Sequence, residues 1–190
     1  DEGYKETKPL INVSGKPMIM KALDDLPNSS QKVIIMRKNM KGYQEISKII
    51  KDTYPESKIK YISKLTNGQA STASLGIDLI DFEKDYSPIT IGACDNGALY
   101  DEKEFREFIQ TKKPDIIVWG ARNHLNAKRN PNMFGWIKSD ENGLIENISV
   151  KKAIDNNFKY PIVIGTFTFL EDRFFRESIA SLFKRKGLIN

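Results

Sequence analysis

Short segments of this 190-residue sequence set groups with metal, phosphate or base chemistry just beyond apolar runs. Asp95-Asn96-Gly97 follows Ile89-Thr90-Ile91-Gly92-Ala93-Cys94. A carboxylate at the end of a buried strand suits Mg²⁺, which takes hard oxygens from carboxylates and phosphates. Asp-Asn-Gly also reads as an ordinary turn, since all three residue types favour turns. Thr66-Asn67-Gly68-Gln69-Ala70 opens a helical pattern. Gly68 lets backbone approach a base or phosphate closely, and the helix start offers free N–H groups to an anion. The Gln69 amide carries both a donor and an acceptor for a base edge. The same stretch also reads as a plain strand-to-helix turn capped by Thr66 or Asn67. Lys8 and Lys16 each precede a proline around Ser14-Gly15, and Lys151-Lys152 follows Ser149-Val150. Lys8, and either Lys151 or Lys152, could meet a phosphate or sit in solvent. His124 lies in a polar loop with no orienting partner evident in the sequence, and Cys94 reads as a small core residue.

In an open parallel sheet, ligands collect beyond the carboxyl ends of the strands. The elements that would position these residues are legible in the pattern. Val33-Ile34-Ile35-Met36, Ile89-Thr90-Ile91-Gly92-Ala93-Cys94 and Ile116-Ile117-Val118-Trp119 are short, β-branched apolar runs, hence buried strands. Residues 58–63 alternate and predict another. Tyr43, Ile46, Ile49 and Ile50 recur at helical spacing as far as Tyr54-Pro55, where proline stops the helix. Ala70, Ala73, Ile77 and Ile80 predict a second helix, and Phe105, Phe108 and Ile109 a third. Pro17 suits the first turn of a helix carrying Met18, Ile19 and Leu23. Gly135-Trp136-Ile137-Lys138 and Leu144-Ile145-Glu146-Asn147-Ile148 flank Asp140-Glu141-Asn142-Gly143, a hairpin. A long strand over 162–169 and an amphipathic helix through Phe174, Phe175, Ile179, Leu182 and Phe183 complete the chain. The expected fold is α/β: a Rossmann-like, mostly parallel sheet with helices on both faces and an antiparallel hairpin addition. With no repeat or low-complexity linker, residues 1–190 read as one domain. Trp119 and Trp136 are expected in its core.

Composition narrows the function classes. Hydrophobic residues make up 39% and charged residues 29%, a globular balance. No apolar stretch approaches the ~20 residues of a membrane helix, and the first residues show no signal-peptide pattern. One cysteine excludes an internal disulfide, and with one histidine a Cys/His zinc site is not expected. The simplest setting is cytoplasmic. The formal charge of +5 fits phosphate-rich ligands, but the lysines are scattered beside apolar stripes and nucleic acid is not an expected partner.

In combination, the segments resemble the nucleotidyltransferase family, which makes nucleotide sugars and related activated metabolites. Residues 8–19 resemble the second half of its signature, Gly68-Gln69-Ala70 its base-reading segment, and Cys94-Asp95-Asn96-Gly97 the segment with the metal-binding aspartate. Phe134-Gly135-Trp136-Ile137, the turn at residues 140–143 and Ile148-Ser149-Val150-Lys151-Lys152 are similar to its substrate-side hairpin and Glu-Lys motif. Gly165-Thr166-Phe167-Thr168-Phe169 looks like the strand that follows. Order and spacing match over nearly the whole chain, most closely in capsular-polysaccharide-type members. The resemblance implies Asp95 as the Mg²⁺ ligand, Lys8 and Lys151 as catalytic cations, and Gly68, Gln69 and Asn96 as nucleotide contacts. It implies NTP and a phosphorylated sugar or related metabolite as substrates.

Three departures accompany it. Val150 stands where the family has Glu, if Lys151 is the matching lysine; a register one residue later would match Lys151 and Lys152 instead. The family's Gly-x-Gly-x-Arg loop and the strand before it would lie upstream of Asp1. Its second metal carboxylate finds no counterpart before Asn190. The chain is therefore expected to be a fragment, poorly active alone. Two other classes stay open: a metal-dependent glycosyltransferase of similar fold, which would normally show Asp-x-Asp where Asp95-Asn96-Gly97 stands, and a non-catalytic nucleotide-sensing module.

Overall fold

The computed structural model describes residues 3, 5–82, 88–155 and 159–185. A 3-10 turn at Lys8–Leu10 leads into a small hairpin of β1 (Asn12–Val13) and β2 (Lys16–Pro17). Ser14 and Gly15 form its two-residue turn at φ 52° and 87°, the left-handed pair that matches strand twist. Helix α1 (Met18–Asp24) follows directly. Next comes a βαβ unit: β3 (Val33–Arg37), α2 (Tyr43–Thr53) and β4 (Lys58–Ile62), with the two strands parallel from Val33↔Lys58 to Arg37↔Ile62. Ile46 and Ile50 of α2 are 1% and 0% exposed and pack with Ile19 and Met20 of α1 on Ile34 and Met36 of β3. Each such side chain contributes about 1.5–3 kcal/mol of apolar burial.

Helix α3 (Gln69–Ser74) is shorter than the periodicity predicts. The pattern through Ile80 is carried by a separate 3-10 turn at Ile77–Leu79. Between the two lies Gly76, where an added Cβ would lie 2.9 Å from Ile35 and 3.1 Å from Val33. The chain there packs closely against β3.

The larger sheet is organised by one strand. After β5 (Ile89–Ile91), α4 (Glu102–Lys112), β6 (Ile116–Ala121), α5 (Leu125–Arg129), β7 (Gly135–Ser139) and β8 (Ile145–Val150) comes β9 (Ile162–Phe169), and then α6 (Asp172–Lys184). Strand β9 pairs antiparallel with β5, β6 and β7, and β8 pairs with β7. The α/β class is as expected, but parallel hydrogen-bonded pairing among the described residues is confined to β3–β4. Strands β5 and β6 run parallel to each other only as neighbours on either side of β9. One cluster joins Ile77, Ile89, Phe169 and Phe175; another joins Ala127, Trp136 and Ile162. The buried Thr168 hydroxyl is satisfied by Thr90 at 2.9 Å and by the Trp119 indole N–H at 3.0 Å.

The register of β9 leaves an opening. Strand β6 occupies one edge of β9 at both 162–163 and 167–169, so β5 and β7 share the other edge. Strand β5 ends opposite Phe167, and β7 meets β9 at Ile162. Residues 164–166 therefore face a gap between the end of one strand and the start of another.

Candidate active site

Strand β9 bulges at this gap. Val118 of β6 pairs with Phe167, yet Gly120 pairs with Val163, so one β6 residue opposes three of β9. Gly165, at the centre of the bulge, has φ 81°, a conformation that costs glycine little. The Ile164 carbonyl accepts from Asn96 Nδ2 at 2.8 Å, and the Gly165 carbonyl accepts from Gln69 Nε2 at 2.7 Å. Asp95, next to Asn96, forms an ion pair with Lys8 Nζ, linking the 3-10 turn at Lys8–Leu10 to the end of β5. Its side chain is 29% exposed and open to solvent-borne ligands. Gly68 immediately precedes α3 at φ 103°, ψ 178°, with open space where a Cβ would stand.

Three side-chain contacts thus link four separate segments: Lys8 to Asp95, Asn96 to the β9 bulge, and Gln69, which follows Gly68, to the same bulge. Lys151 stands apart. It follows β8 with φ 55°, and its backbone N–H donates to the Phe134 carbonyl at 3.0 Å. Val150 pairs with Gly135, whose Cβ position is 3.2 Å from Val163. Lys151 is therefore two strand spacings across from the bulge, roughly 10 Å, and its side chain is exposed.

A model of the nucleotidyl transferase family matches residues 4–183. The chain belongs to the nucleotidyl transferase family. Solved structures share the fold at low identity. A nucleoside-diphosphate-sugar pyrophosphorylase from Vibrio cholerae RC9 is 14% identical, with 96% of this chain and 72% of that one covered at a TM-score of 0.70. HddC from Yersinia pseudotuberculosis is 20% identical, covering 87% and 68% at 0.57. A 4-diphosphocytidyl-2C-methyl-D-erythritol synthase from Anaerococcus prevotii DSM 20548 is 16% identical, covering 95% and 72% at 0.54. No curated protein sequence gives a significant match.

Within this nucleotidyl transferase chain, several sequence expectations need correction. Cys94 is exposed, because β5 ends at Ile91 and residues 92–97 leave the sheet. Neither Thr66 nor Asn67 caps α3; Gly68 holds that position, and the Thr66 hydroxyl instead lies 2.5 Å from that of Thr72. Trp136 is core at 1% exposure. Trp119 is only half-buried and stands in an open cleft with Tyr100 and Phe105, at ring distances of 4.9 and 5.1 Å. His124 precedes α5 and rests 5.3 Å from the Phe134 ring.

The structure also adds residues that the motifs did not single out. Leu26, just beyond α1, fills the space against Gly92, and Asp25 lies where a Cβ on Gly97 would stand. Asp25 is held by Lys21 at 2.5 Å. The Asp95 turn is thus clamped between two glycines that only their packing explains. The signal available in the sequence was the Gly92…Gly97 pair flanking Asp95.

Proposed function

We propose that this chain transfers a nucleoside monophosphate from an NTP to a phosphorylated sugar or related metabolite, releasing pyrophosphate. The observation that carries the reading is that two side-chain amides, Gln69 and Asn96, meet on consecutive carbonyls of the β9 bulge, with the Lys8–Asp95 ion pair beside Asn96 in the chain. A phosphorylated acceptor is already an anion, so the reaction needs no general base. Its phosphate oxygen forms a bond to the α-phosphorus as the bond to the pyrophosphate oxygen breaks, and the electron pair leaves with pyrophosphate. Catalysis then consists of positioning and charge neutralisation.

Lys8 would neutralise phosphate charge at the α-phosphorus side, and Lys151, across the sheet, the acceptor phosphate. Gly68, Gln69 and Asn96 would bind the nucleotide, with Gly68 allowing close backbone approach. Asp95 suits Mg²⁺: it is a part-exposed hard oxygen donor, and Mg²⁺ commonly takes one or two carboxylates beside substrate phosphates and waters. Among the described residues no group of three acidic, His or Cys side chains offers a fuller cage. When bound, Mg²⁺ supplies charge neutralisation to the phosphate oxygens. Dependence on NTP favours a cytoplasmic setting, and residues 1–190 are read as a single nucleotidyltransferase-like domain. A sugar phosphate destined for capsular polysaccharide is the acceptor class the motif pattern favours.

The test is pyrophosphate release with each NTP, Mg²⁺ and a panel of phosphorylated sugars and amino alcohols. NTP- and acceptor-dependent release supports the reading. Sugar transfer from a nucleotide sugar without pyrophosphate release would replace it with a glycosyltransferase.

A further inference from the structure

An extended strand turns successive carbonyls toward opposite edges, which is why alternate residues pair with a given neighbour. At the β9 bulge two consecutive carbonyls, Ile164 and Gly165, both serve the crevice side chains. The left-handed Gly165 backbone makes this possible, and bulges of this kind re-aim groups beside functional sites. We infer that the Gly165 bulge sets the nucleobase selectivity of the site by fixing the orientation of the Gln69 and Asn96 amides, so that Gly165 is a positioning residue. This rests on the reading of Gln69 and Asn96 as nucleotide contacts.

The chemistry is directional. A carbonyl accepts only from the NH₂ end of an amide, so each bond turns the nitrogen toward β9 and the amide oxygen away from it. Gln69 Oε1 is left as a fixed acceptor for a ring or exocyclic N–H on a base edge. An amide free to flip would present either end and would discriminate less. The sequence pattern assigned Gly165 no role beyond membership of a strand, whereas its torsion and its two flanking bonds link segments 96 residues apart.

The experiment compares wild type, G165A, G165N and Q69A of the full chain. Calorimetric titration with ATP, CTP, GTP and UTP in Mg²⁺ gives the spread between the best and worst nucleotide. Side-chain amide signals in ¹H–¹⁵N spectra report the two hydrogen bonds directly. Any side chain is strained at the Gly165 torsion, asparagine less than alanine; a Cβ itself meets Asn96 Nδ2 at an ordinary 3.6 Å. The expected result is that G165A and Q69A each shrink the spread about tenfold, the scale of one directional hydrogen bond. In G165A the Gln69 and Asn96 amide signals shift together, and in G165N the spread and the signals change together and by less. Should G165A not fold, a folded G165N that has lost the spread while its Gln69 and Asn96 amide signals stay at wild type overturns the inference. A wild-type spread abolished in Q69A but intact in G165A overturns it while leaving the nucleotide reading standing. A wild type indifferent to the base and unaffected by Q69A overturns both.

Discussion

Asp95 carries the largest expected effect of any single residue. Asp95→Asn keeps the shape of the turn but removes the charge that pairs with Lys8 and that would hold the metal. Pyrophosphate release should fall about 100-fold or more, roughly 3 kcal/mol of barrier, with the thermal midpoint little changed. Lys151→Ala should act differently, because its exposed ammonium lies across the sheet from the amides. We expect a raised KM for the phosphorylated acceptor with the KM for NTP unchanged, measured by varying each substrate in turn. Gly97→Ala tests the clamp behind Asp95. Its Cβ would collide with the Asp25 carboxylate, and overpacking of this kind costs about 1–3 kcal/mol, read as a lower denaturation midpoint. Gly68, Gln69 and Asp95 were legible as candidates from side-chain chemistry at strand ends. The Lys8–Asp95 contact was not, since 87 residues separate the partners.

Side-chain bonds anchor the end of α1. Its last residue, Asp24, receives Lys16 Nζ at 2.7 Å and the Tyr54 hydroxyl at 2.5 Å, tying α1 to β2 and to the end of α2. Burial and the bond to Asp24 push the Tyr54 phenol up to about 12. Its ordinary value is about 10, so the folded state binds this proton more tightly than the unfolded one. The Tyr54 contribution is therefore complete below pH ~10 and is lost as pH rises through about 12. Tyr54→Phe should lower stability by about 1 kcal/mol near neutrality. The difference from wild type should shrink in denaturation curves taken between pH ~9 and ~11.5. The Asp24 carboxyl moves the other way. Burial raises it, but the bonds from Lys16 and Tyr54 outweigh burial and hold it below the usual carboxylate range. Its contribution is present above the unfolded pKa and fades as pH falls through the folded one.

Across the whole molecule, the described strands form separate sheets, with β3 paired only to β4 and β5 only to β9. Helix and turn packing connects them: Gly76 lies on β3, while the adjoining Ile77 packs with Ile89 and Phe169. Half of the β3 amides point away from β4. Hydrogen exchange on the 190-residue chain should find them exchanging at least ~10-fold faster than the amides bonded to β4, because a backbone hydrogen bond must open before exchange. Uniform protection along β3 would show that its second edge is covered.

The sequence by itself determined the local elements whose reasons are local. Residues 33–36 and 162–169 are strands because β-branched apolar runs favour a pleated, buried backbone. Ile46 and Ile50 are core because helical periodicity puts them on one face. Asp140-Glu141-Asn142-Gly143 is a turn because Asp140 Oδ1 satisfies the Asn142 and Leu144 N–H groups within the loop itself. Tertiary structure decided what depends on neighbours distant in the chain. The 70–80 pattern divides into α3 and a 3-10 turn on either side of Gly76, which packs on Ile35 and Val33. The larger sheet became antiparallel around β9 because a strand's hydrophobic pattern specifies which face is buried, not which strand lies beside it. The β9 bulge, two residues longer than its β6 partner, exists only in that pairing. The same pairing brings Gln69 and Asn96 to consecutive carbonyls, a juxtaposition that no one-dimensional spacing encodes.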